Sequence, residues 1–104
     1  MFPHVGTYHV TVLGETMVAK FGKTHAQSRK PLARFLGIVR DAEWKHLPDL
    51  KAAFPRADYT AESQTVVFNI GGNKYRLIAT VNFEKQTLLI ENILTHEQYD
   101  EKEL

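Results

Sequence analysis

The sequence predicts an α+β domain in which N-terminal helices pack on a small antiparallel sheet, and three observations carry that prediction. Leu32, Phe35, Leu36 and Val39 fall at i, i+3, i+4 and i+7, the apolar stripe of an amphipathic helix. The second half holds three β-prone runs with alternating apolar residues, Thr65–Ile70, Lys74–Phe83 and Thr87–Leu94. Only Gly71-Gly72-Asn73 and Glu84-Lys85-Gln86 separate those runs, and links that short join antiparallel neighbours. With 104 residues, 43% of them hydrophobic, the chain suffices for one core but not two, so 1–104 is read as a single domain.

Residues 1–6 read as a loose extension. Tyr8–Leu13 is short and β-prone, with Tyr8, Val10 and Val12 on one face. Glu15–His25 is a helix with Val18 and Phe21 inward, weakened by Gly22. A second helix starts around Ser28–Pro31, since serine caps and proline is tolerated in a first turn, and Trp44 ends it. Leu47–Pro55 is a short helical turn opened by Pro48 and closed before Pro55. Arg56–Ser63 reads as a polar connection. Gly71-Gly72-Asn73 supplies the positive-φ positions of the first hairpin. Thr95–Glu103 is a short, polar helical end.

Composition removes several classes of function. There is no cysteine, so there is no disulfide, thiolate nucleophile or thiolate metal site. His4, His9, His25 and His46 are scattered without ligand spacing, so no metal and no cofactor are expected. No apolar run is long enough to span a bilayer, and the N-terminus lacks a signal-peptide profile, so a cytoplasmic protein without a membrane role is expected. Gly71-Gly72 joins two strands instead of leading into a helix, which is not a phosphate loop.

Net charge is only +1, but it is unevenly spread. Nine Lys and Arg lie between Lys20 and Arg56, against Asp41, Glu43 and Asp49, while the tail from Glu91 is acidic. Such a basic helical half can face phosphate, or it can be an ordinary solvated surface.

In the strand Lys74–Phe83, side chains alternate between faces. Tyr75, Leu77, Ala79 and Val81 form the row that packs on the helices, which leaves Arg76 on the opposite face beside Asn73 and Lys74. A guanidinium there can clamp a phosphate with two donors and stays charged at any relevant pH. The alternative is an exposed strand arginine paired with Glu91. On either reading it lies off the apolar row, so its replacement is expected to change stability little. If Thr95 caps the last helix, His96 and Tyr99 share a face at i, i+3. Histidine exchanges protons near neutrality, and tyrosine does so less readily. The alternatives are a capping histidine and a packing tyrosine. Lys45 beside Trp44, and Lys51, add possible backbone contacts to RNA; equally, Trp44 is core.

Together these residues resemble a known family. Ala42-Glu43-Trp44-Lys45, Leu50-Lys51-Ala52-Ala53-Phe54-Pro55, Val66-Val67-Phe68-Asn69-Ile70-Gly71-Gly72-Asn73-Lys74-Tyr75-Arg76-Leu77 and Thr95-His96-Glu97-Gln98-Tyr99-Asp100 are similar to HigB toxins, the RelE-like mRNA interferases of type II toxin–antitoxin systems. The likeness runs from about Leu13 to Asp100. It implies a RelE-like toxin fold, cleavage of mRNA on the translating ribosome, and a HigA-type helix-turn-helix antitoxin through which alone DNA is bound. It implies catalytic roles for Arg76, His96 and Tyr99 and RNA contacts from Lys45, Lys51, Asn73 and Lys74. A non-catalytic module that binds RNA or antitoxin with the same fold is the other reading.

Overall fold

The structure is a computed structural model that describes residues 9–103. In chain order it contains β1 (Thr11–Leu13), α1 (Glu15–Thr24), a 3-10 turn (Ala26–Ser28), α2 (Arg29–Arg40), α3 (Leu47–Ala53), β2 (Asp58–Thr60), β3 (Thr65–Ile70), β4 (Tyr75–Asn82), β5 (Thr87–Thr95) and α4 (His96–Glu103). The strands form one five-stranded sheet in the order β1-β5-β4-β3-β2. β3, β4 and β5 pair antiparallel as expected and β2 adds an antiparallel partner to β3, but β1 runs parallel to β5. Parallel pairing needs a long crossover, and the helices between β1 and β5 supply it. The sheet is therefore mixed within an α+β fold. The loose extension and Tyr8 lie outside the described residues.

Alternation places the core. Val66, Phe68 and Ile70 of β3, with Tyr75, Leu77, Ala79 and Val81 of β4, are buried on one sheet face. Leu32, Phe35, Leu36 and Val39 of α2 and Leu50 of α3 cover that face, as the helical stripe requires. Phe35, Phe54 and Phe68 meet with ring centroids 4.9–5.3 Å apart. On β5 the buried residues are Leu88, Ile90 and Ile93, a spacing that alternation alone does not give. A bulge resolves it: Ala79 pairs with Ile90 and Ile78 with Asn92, so Glu91 is passed over and Ile93 returns to the core face.

Several local expectations are corrected. Ser28 does not cap α2; its buried hydroxyl donates to the carbonyl of His25 at 2.6 Å. α2 stops at Arg40, and Trp44 lies beyond it in a loop, buried and edge-on to Phe54. The presumed polar connection contains β2, an edge strand of three residues, too short to show periodicity. Asn73 does not take a positive φ; Gly71 and Gly72 do, at 63° and 72°. α1 and α2 are tied by Arg29 Nε, which donates to the Gly22 carbonyl at 2.8 Å, and by an Arg40–Glu15 ion pair. Gly22 eases that crossing, where an added Cβ would meet Arg29 Cγ at 3.1 Å.

Gln86, at φ 55° in the β4–β5 turn, fastens the Trp44 loop to the sheet. Its Oε1 accepts from the Trp44 N–H at 3.2 Å, while its Nε2 donates to the carbonyls of Trp44 and Phe83. Gln86→Ala leaves these partly buried backbone groups without partners. It is expected to cost about 1–3 kcal/mol, read by chemical denaturation followed through Trp44 fluorescence.

Candidate active site

The site grows out of the β3–β4 turn. With Gly71 and Gly72 in the left-handed region, the chain turns back so that Asn73 faces the start of β4. There Arg76 points away from α2 and α3 but is only 8% exposed, against the expectation of a surface arginine. Its Nη1 donates to the carbonyls of Asn73 and Tyr75 at 3.1 and 3.2 Å. Nη2 donates to Asn73 Oδ1 at 2.9 Å and faces Nδ1 of His96 at 3.0 Å. Glu91 is not its partner: that carboxylate accepts from the Thr80 hydroxyl at 2.8 Å. Among the described residues, the hydrogen bonds of this guanidinium go to neutral acceptors and it makes no ion pair.

α4 covers Arg76 because its start is specified twice. The Thr95 hydroxyl accepts from the Gln98 N–H at 3.1 Å, and the Gln98 side chain accepts from the Thr95 N–H at 3.0 Å, a reciprocal capping box. The His96 N–H donates to the Lys74 carbonyl at 2.8 Å, which locks the helix onto the hairpin. Thr95 therefore does cap the helix, and His96 and Tyr99 share its inner face. The guanidinium lies over the Tyr99 ring at cation–π range, Cζ 5.5 Å from its centroid. His96 Nε2 is 3.1 Å from Oδ2 of Asp100. Asp100 was missed at the sequence level although it stands in the quoted motif; its i, i+4 spacing from His96 was the available signal.

The structure thus joins Arg76, His96, Tyr99 and Asn73, with the exposed Lys74 beside them. Lys45 and Lys51 lie elsewhere. Lys45 follows Trp44, which is bound to Gln86 at the end of the sheet opposite the β3–β4 turn. Lys51 Nζ donates to the Ala57 carbonyl at 2.6 Å, at the approach to β2. A cavity of 170 Å³ lies between α2, Phe54 and residues 69–72, bordered by Arg34 and not by Arg76. The Arg76 cluster instead lies beside the first turn of α4, with His96 against the guanidinium and Tyr99 under it. The described residues contain no group of three His, Cys, Asp or Glu that could hold a metal, and no helix long and apolar enough to cross a membrane.

Comparison with known proteins agrees with the resemblance. Residues 28–102 match the HigB_toxin family, described as the RelE-like toxic component of a toxin–antitoxin system. The match runs from α2 to α4 and contains the whole cluster, leaving out β1 and α1. The chain is 34% identical over 77 residues to the mRNA interferase toxin HigB of Escherichia coli K12, covering 73% of this chain and 74% of that protein. It matches the mRNA interferase HigB of Shigella flexneri to the same extent. With that of Escherichia coli O6:H1 it shares 27% identity over 64 residues, 61% of this chain and 62% of the relative.

Burial revises what replacing Arg76 should do. Arg76→Ala removes four donor contacts and leaves the Asn73 and Tyr75 carbonyls short of partners. The expected cost is about 1–3 kcal/mol, not a neutral surface change. Arg76→Lys retains the charge and is expected to lose less; urea denaturation of both variants checks the order.

Proposed function

The chain belongs to the HigB family of RelE-like toxins, the toxic components of toxin–antitoxin systems, and on that premise we propose that it is an mRNA endonuclease that works without a metal. The observation that carries this reading is Arg76: a nearly buried guanidinium with neutral acceptors, in contact with both a histidine and a tyrosine. A charge held in that way is available to an arriving anion, and low exposure strengthens the attraction. The substrate would be RNA because its 2′-hydroxyl is an internal nucleophile that DNA lacks.

In the proposed reaction O2′ attacks the adjacent phosphorus and the P–O5′ bond breaks, leaving a 2′,3′-cyclic phosphate and a free 5′-hydroxyl. Negative charge gathers on the phosphoryl oxygens, and Arg76 would meet it with donors already oriented. Preorganised donors of this type commonly contribute a few kcal/mol to the barrier. His96 and Tyr99 would take the proton from O2′ and return one to O5′. Asn73 holds Arg76, and Lys74 would steer the backbone. Lys45 and Lys51, away from the cluster, would at most touch flanking RNA, and ribosome binding would use the wider basic surface.

The partner would be a HigA-type helix-turn-helix antitoxin, with DNA bound only through it. Lys20, Lys23, Lys30 and Arg34 are exposed on α1 and α2 and could receive an acidic segment, whereas Arg29 spends its Nε on the Gly22 carbonyl. Charge reversal at Lys30 and Arg34 is expected to weaken a complex with the product of the adjacent gene, measured by co-purification and by rescue of growth. Failure of that product to bind or rescue would remove the antitoxin assignment.

The chemistry has its own test. Cleavage should persist under exhaustive chelation, with intact ribosomes supplied where needed, and should leave 2′,3′-cyclic phosphate ends. Mg²⁺-dependent products with 3′-hydroxyl ends would overturn the mechanism. His96→Gln and Tyr99→Phe should each lower kcat, by about 10²–10⁴-fold for a full acid–base group, with smaller effects on RNA affinity. A loss of affinity alone would make the pair a positioning device.

A further inference from the structure

The ring nitrogens of His96 face partners of opposite character, and that fixes where its proton sits. Nδ1 lies 3.0 Å from Arg76 Nη2. A guanidinium offers only N–H donors and does not deprotonate, so Nδ1 must present its lone pair. Nε2 lies 3.1 Å from Asp100 Oδ2, and a carboxylate only accepts. Both contacts are made only by the neutral imidazole protonated at Nε2. An imidazolium would aim an N–H at the N–H of Arg76, donor against donor and cation against cation.

Resting on the nuclease reading, we propose that Asp100 is a positioning residue that holds His96 as the Nε2–H tautomer. Nδ1 is then the proton-accepting atom of the site, and substrate uncovers it. Nη2 has two hydrogens, one on Asn73 Oδ1 and one on Nδ1. A phosphate oxygen is a stronger acceptor than an imidazole nitrogen and takes the second, which frees Nδ1 as the scissile group arrives. The step then balances: O2′ bonds to phosphorus, the O2′ proton passes to Nδ1, the P–O5′ bond breaks, and O5′ takes a proton from the Tyr99 hydroxyl. The imidazolium keeps its Nε2–H on Asp100, whose hydrogen bond strengthens as the ring gains charge. The side chains of His96 and Asp100 are 42% and 61% exposed, so water screens their attraction and the main effect of Asp100 is orientation.

The test reads the tautomer directly. In protein labelled with ¹⁵N at the histidine rings, long-range ¹H–¹⁵N spectra of neutral His96 should show a protonated Nε2 and a bare Nδ1. Asp100→Ala should shift the ring toward a mixture of tautomers and Asp100→Glu should restore it; Asp100 is exposed, so these variants should fold. An uncleavable 2′-O-methyl RNA oligonucleotide should move the Nδ1 resonance as Arg76 leaves it. In cleavage assays Asp100→Ala should lower kcat by about tenfold, a part of the full acid–base effect, with KM nearly unchanged. A wild-type ring protonated at Nδ1, or an unchanged tautomer in Asp100→Ala, would overturn the role of Asp100 whatever the cleavage assay gives. If the tautomers behave as expected but the wild-type protein cleaves no RNA, the nuclease reading fails, the assignment of Nδ1 as its base falls with it, and the tautomer assignment stands.

Discussion

An arginine only 8% exposed to water is the constraint on which the C-terminal half depends. Removing such a group from solvent is costly unless its donors are met. Arg76 meets them with the two oxygens of Asn73, the Tyr75 carbonyl and the His96 ring. Asn73 can serve only because Gly71 and Gly72 take positive φ and fold the turn back on the strand. His96 can serve only because Thr95 and Gln98 start α4 at that point and Lys74 holds its first N–H. Turn, strand and helix are one hydrogen-bonded unit, and a change in any of them is felt at the arginine.

The bulge at Glu91 links this unit to the core. Without the extra residue, strict alternation from Leu88 and Ile90 would bring Asn92 to the helix face and send Ile93 outward. Passing over Glu91 keeps Ile93 buried and aligns Thr95 with Tyr75. The chain consequently leaves β5 beside the β3–β4 turn, where α4 can lie over Arg76. One unpaired residue reconciles a close-packed apolar face with a polar site on the other side of the same sheet.

What could be read from the sequence was what periodicity encodes. The α2 stripe, the apolar row of β4 and the placement of Arg76 on the opposite face all follow from spacings of 3.6 and 2, and the structure agrees. The Thr95 cap, conditional in the sequence, is also found. The missing parts depend on contacts distant in sequence. The burial of Arg76 arises from α4, twenty residues further on. Trp44 is drawn into the core by Phe54 and Gln86 instead of ending a helix. β2 is recognisable only through its pairing with β3. Lys45 and Lys51 were grouped with the site by charge, which says nothing about which end of the sheet a lysine reaches.

The two faces also separate two proposed roles. Side chains alternate across β4, so the helices that carry Lys20, Lys23, Lys30 and Arg34 cover the face from which Arg76 points away. An antitoxin segment on those helices would lie behind the sheet from the Arg76 cluster. From there it would not need to plug the site; its bulk would suffice to keep the toxin from a confined position on the ribosome. To silence the chemistry as well, it would have to disturb the hydrogen-bonded unit of turn, strand and α4. The connection available to it runs through α2 and the Gly71–Gly72 turn, which share the walls of the 170 Å³ cavity. Steric exclusion needs only rigid docking, whereas coupling through that cavity needs a second arrangement of the turn that antitoxin binding favours. On the geometry of this fold, exclusion is the simpler of the two.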